Sequence, residues 1–186
     1  MPPKKKGKKT RIRKAKLEEE ERIKSQNLPE VRKRFEYLYS IYDSDDTGSI
    51  NEEDFPNFVR SLGLYATNAQ INKLSNLCKE EENGAYYPSS KLEEVLTPLI
   101  IDAMLNPSSD YAAPSEEQLA LALKSLDLEH KGHLTESDFR TIMSNNGEKL
   151  DSDELEQAFD EAVNPVTGVI DLDRYTGRLL YNSKLF

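Results

Sequence analysis

The run Asp43–Asp54, DSDDTGSINEED, places oxygen-bearing residues at alternate positions around a single glycine. Calcium takes about six to eight oxygen ligands, and a loop of this kind supplies them from positions one, three, five, seven, nine and twelve. In this run they are Asp43, Asp45, Thr47, the backbone carbonyl of Ser49, Asn51 (directly or through water) and Asp54. Gly48 is sixth, where the chain must turn sharply. The departure is at the twelfth position. Asp54 is one methylene shorter than glutamate and is predicted to reach an ion with one oxygen, which weakens calcium and makes magnesium a competitor. An empty loop held by its own Asx hydrogen bonds is the alternative.

Three further glycines, Gly84, Gly132 and Gly168, have similar surroundings, at separations of 36, 48 and 36 counted from Gly48. The eighth positions of the four loops are then Ile50, Tyr86, Leu134 and Ile170, and the residues just beyond the loops are Phe55, Lys91, Phe139 and Tyr175. Only Lys91 breaks the apolar rule, with Leu92 beside it. The second loop, KEEENGAYYPSS, begins with Lys79 and ends with Ser90. The third, DLEHKGHLTESD, begins well with Asp127 and Glu129 but carries Lys131 fifth. The fourth, VNPVTGVIDLDR, has Val163, Pro165 and Arg174 at ligand positions. These three are predicted not to coordinate calcium, so calcium is expected in the first loop only. His130 and His133 lack the further sulfur or imidazole ligands of a zinc centre and read as solvated loop residues.

The elements that must carry these loops are helices. Phe35, Leu38, Tyr39 and Tyr42 fall on one helical face before the first loop. Ile71, Leu74 and Cys78 do so before the second, Leu119, Leu123 and Leu126 before the third, and Leu155 and Phe159 before the fourth. Thr67, Ser115 and Asp151 resemble N-caps, the last two with glutamine or glutamate three residues on. The predicted fold is all-α: four helix–loop–helix units paired into two lobes. In each pair the eighth residues, Ile50 with Tyr86 and Leu134 with Ile170, are expected to meet in a short antiparallel bridge. Pro98 is expected to kink or shorten its helix. The boundaries are 1–28 for a basic disordered arm with a short charged helix, 29–105 for the first pair, 106–115 for a linker, and 116–186 for the second pair.

Charge is divided along the chain. Residues 1–16 hold nine of the 25 Lys and Arg and no acid, leaving 16 basic against 34 acidic residues, a balance of -18, in the other 170. Such an arm suits an acidic surface, and it lacks the aromatics that stack on single-stranded bases, so nucleic acid is disfavoured. In KLEEEERIKSQ, Glu18 with Arg22 and Glu20 with Lys24 are spaced to support a solvent-exposed helix. No apolar run approaches the ~20 residues that cross a bilayer, and the start has no hydrophobic leader, so a soluble, non-secreted protein is expected. Cys78, the single cysteine, is expected to fill the core.

Two stretches carry a resemblance: RSLGLYATNAQI is similar to the turn between the first two hands of calmodulin, and LDSDELEQAFDEA to the helix before its fourth. The chain from about Phe35 to Tyr175 thus resembles the calmodulin superfamily of EF-hand proteins. EEENGAYY, PSEEQLALALKSLD, KGHLTESDF and AVNPVTGVIDLDRY further resemble the EF-hand subunit, the eighth, of the axonemal nexin–dynein regulatory complex. That resemblance implies a structural and regulatory subunit in the cytoskeleton of a cilium or flagellum. Its partners would be helical or coiled-coil axonemal subunits in a hetero-complex, and its basic arm would have acidic tubulin within reach.

Lobes that keep their apolar frame and lose their chelators cannot be switched by calcium, so their grooves are expected to be closed or permanently occupied. Permanent occupation by partner helices is the favoured expectation. The competing reading is a calcium sensor of calmodulin, centrin or myosin-light-chain type that binds target helices reversibly. No nucleophile–base pair, phosphate loop or catalytic metal motif is present, so no enzyme is expected.

Overall fold

A computed structural model describes residues 6–80 and 86–184. The helices are α1 (Lys6–Tyr42), α2 (Phe55–Ser61), α3 (Asn68–Cys78), α4 (Ser89–Leu105), α5 (Glu116–Leu126), α6 (Glu136–Asn145), α7 (Ser152–Ala162) and α8 (Leu172–Lys184). Between them lie the two-residue strands β1 (Ser49–Ile50), β2 (Tyr87–Pro88), β3 (His133–Leu134) and β4 (Ile170–Asp171). β1 pairs antiparallel with β2, and β3 with β4. These are four helix–loop–helix hands in two pairs. No helix among the described residues is long and apolar enough to cross a membrane.

Local chemistry explains where several helices begin. Ser115 accepts the Gln118 N–H while the Gln118 side chain accepts the Ser115 N–H, a capping box that opens α5. Asp151 and Glu154 do the same for α7, and Thr135 with Asp138 for α6. The box at Thr135 was not among the expected caps, although its T-x-x-D spacing is the same signal. α2 ends where the Leu62 N–H reaches the Phe58 carbonyl and Gly63, at φ +91°, turns the chain.

Two prolines lie inside helices. Of the kink or shortening expected at Pro98, the shortening does not occur: α4 runs through it to Leu105. Leu92 and Leu96 before it and Ile100 and Ile101 after it are all buried. Apolar packing on both sides offsets the one lost backbone hydrogen bond. α1 likewise runs through Pro29. Residues 6–28, expected as a disordered arm and a separate short helix, are instead continuous with the first hand's entering helix. Lys14 lies 3.6 Å from Glu18 on consecutive turns of this stretch. Just beyond Pro29, Val31 and Phe35 are buried, Arg32 pairs with Glu93 at 2.7 Å, and Arg34 donates to the Ser61 carbonyl at 2.7 Å. Those tertiary contacts hold the helix on course. At ~1.5 Å per residue α1 is about 55 Å long. Residues 1–5 lie outside the described residues.

The chain divides into two compact units between Tyr111 and Ala112, with Thr67–Ala69 grouped with the second. Tyr111 packs against the first core, and its carbonyl accepts the Tyr65 N–H at 3.0 Å. The first half of the Pro- and Ser-rich segment 106–115 therefore belongs to the first unit. In the first core Phe35, Phe55, Phe58, Leu74, Tyr87, Leu92 and Leu96 are almost fully buried, and Cys78 fills space among them. The second is smaller. Its buried apolar residues among those described are Leu123, Leu134, Phe139, Ala162, Ile170, Leu172 and Tyr175, with eight apolar side chains partly buried around them against seven around the larger first core.

Candidate functional site

In the first loop Thr47 sits at the centre of the donor set. Its hydroxyl lies 3.2 Å from Asp43 Oδ1, 3.0 Å from Asp45 Oδ1 and 3.4 Å from the Ser49 carbonyl. Asp43 also accepts the backbone N–H groups of Thr47 at 2.9 Å and Gly48 at 3.1 Å. Gly48 has φ +76°, a conformation that side-chain-bearing residues rarely adopt. Four of the six expected donors, Asp43, Asp45, Thr47 and the Ser49 carbonyl, are thus already gathered, and they fit a hard cation in donor chemistry. Asp54 does not converge with Asp43 and Asp45. The Asn51 carbonyl accepts from Asp54 and Phe55 at 3.1 Å, and Asp54 precedes α2 without capping it. Among the described residues no three Asp, Glu, His or Cys side chains converge on a point where they could hold a metal.

The second loop corrects the expected register. Ile50 pairs with Tyr87, not Tyr86, and Ser49 pairs with Pro88. Tyr86 instead makes an isolated bridge with Glu80. Phe55 and Leu92, the first buried residues of the exiting helices, each follow the paired residue by five positions. The entering helix keeps the register that starts the loop at Lys79, because Ile71, Leu74 and Cys78 are all buried. The second loop therefore holds one residue more than the first between the same two anchors. That residue is why Lys91 seemed to break the apolar rule. Gly84 lies outside the described residues. Lys79 pairs with Glu52 of the first loop at 3.1 Å.

The third loop has an intact frame. The Gly132 N–H donates to Asp127 Oδ2 at 2.6 Å, and Asp127 is 7% exposed. Burial opposes its charge, yet the Gly132 and Lys131 N–H groups and the neighbouring imidazoles of His130 and His133 hold the carboxyl below its ordinary range. Lys131 pairs with Glu129. Leu134 meets Ile170 across the strands, as their eighth positions require. The fourth loop closes on itself. Its Asn164 N–H donates to the Val169 carbonyl at 2.9 Å, Gly168 N–H to the Asn164 carbonyl at 2.8 Å, and Val166 N–H to Asn164 Oδ1 at 3.0 Å. Backbone bonds take the place where ligands would point inward.

The helices of the second lobe carry apolar side chains that are only partly buried. Leu119, Ile142, Met143, Leu155, Phe159 and Leu179 pack against its core yet stay half-exposed. Arg140 fastens α6 to α7, donating to both oxygens of Glu156 at 2.7 and 2.9 Å and to Glu136 at 2.8 Å. Its guanidinium also lies 4.8 Å from the Phe159 ring centroid. In the first lobe the residues at the matching positions, Phe35, Phe58, Val59, Ile71 and Leu96, are buried by its own helices.

Paired loops joined by short antiparallel strands, with helices on either side, define the EF-hand fold, and the chain's relatives are EF-hand proteins of calmodulin type. No protein-family profile matches it. It is 22% identical over 148 residues to dynein regulatory complex protein 8 of Mus musculus, covering 80% of this chain and 87% of that one. It is 27% identical over 143 residues to a myosin regulatory light chain of Physarum polycephalum, covering 76% and 88%. The fold is shared with MLC1P, solved bound to IQ2 of MYO2P, a class V myosin, at a TM-score of 0.56 and 20% identity, over 77% of this chain and 94% of that one.

Proposed function

We propose that the chain is a non-enzymatic structural and regulatory subunit of the ciliary axoneme, in an assembly of the nexin–dynein regulatory kind. Its second lobe grips a helical segment of a partner subunit largely independently of calcium. The observation that carries this reading is the pairing, in one lobe, of two loops occupied by their own groups with an apolar face its helices leave half-exposed. Relatives named for a dynein regulatory complex and for myosin light chains support it, as does the IQ-bound state of a fold neighbour. The closed first lobe acts as a body that carries α1. The basic segment of residues 4–16 then docks on the acidic tubulin surface by charge.

The first loop favours a second, smaller role. Asp43, Asp45, Thr47, the Ser49 carbonyl and Asn51 would hold a calcium ion, with Asp54 adding one oxygen and magnesium competing. Such an ion neutralises the loop carboxylates and stiffens the first hand. A reversible calcium sensor is the rival function.

Affinity capture of the full chain from detergent-extracted cilia, in EGTA, tests the proposal. Recovery of coiled-coil axonemal subunits is expected, and recovery of chromatin or ribosomal proteins instead would refute the placement.

A further inference from the structure

The third loop has a lysine in place of its fifth-position oxygen ligand yet kept the backbone of the first. Asp46 and His130, fourth in their loops, both have φ +54°, and Gly48 and Gly132, sixth, have φ +76° and +77°. In both loops the fourth N–H reaches the carbonyl of the first aspartate, at 3.2 and 3.1 Å. In both, the glycine N–H reaches that aspartate's carboxylate. Carboxylates at neighbouring ligand positions repel one another unless positive charge sits near them.

Lys131 is fifth in that loop. Its ammonium pairs with Glu129, the third residue. It lines the same cavity of about 550 Å3 as Asp127, Glu129 and Asp138, the first, third and twelfth residues. We propose that the Lys131 ammonium is the third loop's own cation, neutralising the carboxylates near it, Glu129 first, and holding the loop in the backbone shape it shares with the first loop without metal. Glu129 first, with Asp138 and Asp127 adding, raises the lysine's pKa, so it stays charged at physiological pH. The loop is blind to calcium because its positive charge is already tethered in place. This inference does not depend on which partner the lobe binds.

The test uses the full chain with Asp43→Ala, so that the first loop is silent, and follows the Gly132 amide by NMR. In this parent, calcium chloride is expected to leave the Gly132 signal in place. Lys131→Met removes the charge and is expected to speed Gly132 hydrogen exchange about threefold, the scale of an exposed ion pair. Lys131→Arg keeps the charge and should retain the protection. Lys131→Asn supplies an oxygen at the fifth position and should make the Gly132 signal respond to calcium chloride. The proposal fails if calcium already moves Gly132 in the parent. It fails equally if Met and Arg variants exchange alike, or if the Asn variant, with a native-like spectrum, ignores calcium.

Discussion

Tyr87 stacks on Phe55 with ring centroids 4.3 Å apart and planes 19° from parallel, and its hydroxyl meets Ser75 Oγ at 2.7 Å. Both rings are almost fully buried. One residue thus joins the strand bridge, the helix entering the second loop and the helix leaving the first.

Removing that ring should be among the most damaging single changes in the first lobe. Tyr87→Ala leaves a cavity and is expected to cost about 3–5 kcal/mol in urea unfolding of the full chain. Tyr87→Phe loses only the bond to Ser75 and should cost about 1 kcal/mol. Equal losses in the two variants would show that the stacked ring carries little of the stability.

Alkaline pH should weaken the first lobe in two stages. Burial pushes the Cys78 thiol up to about 11, with Lys91 pulling weakly the other way. Burial, then the Asp43 carboxylate, pushes the Tyr39 hydroxyl up to about 12. Both folded values exceed the unfolded ones, so the folded state binds more protons and stability is intact below about pH 8.5. It should fall first as unfolded cysteine ionises and further above about pH 10 as unfolded tyrosine does. Thermal melting of the wild type and Cys78→Ala against pH measures this, the variant losing the first stage. Thiol reagents at neutral pH should label Cys78 only once the chain unfolds.

Asp43 is the hub of the first loop, accepting from Thr47 and Gly48. Asp43→Ala is therefore expected to abolish calcium binding in calorimetry while leaving partner capture in EGTA unchanged. Loss of capture there would show that the Asp43 carboxylate itself, and not a bound calcium, holds the lobe together.

Leu155 and Phe159 lie four residues apart on α7, half-exposed against the second core. Phe159→Asp should lower partner affinity at least about tenfold, as losing a central apolar anchor does, with the helical circular dichroism retained. Normal affinity in a folded variant would place the grip elsewhere.

The hands were legible because each leaves a periodic trace: an apolar helical face, a loop glycine and an aliphatic eighth residue. Ser115 and Asp151 announced their helices for the same local reason. The second loop's register was not legible, since Tyr86 and Tyr87 are identical neighbours and only burial distinguishes them; Leu92, next to the anomalous Lys91, was the available clue. The continuity of α1 was hidden because residues 6–28 have no apolar face, and the contacts that carry the helix past Pro29 come from distant Glu93 and Ser61. The difference between lobes was also out of reach. Alternation of apolar residues shows which face is apolar but not whether neighbouring helices cover it, as they cover Phe35 and leave Phe159 half-open.

The most direct measurement is the affinity of the full chain for a partner subunit purified from axonemes, determined by calorimetry in EGTA and again in millimolar calcium. Hands that serve as grips should give dissociation constants within about twofold of each other. Binding that appears only with calcium, or strengthens tenfold or more, would mean that the lobes still work as a switch.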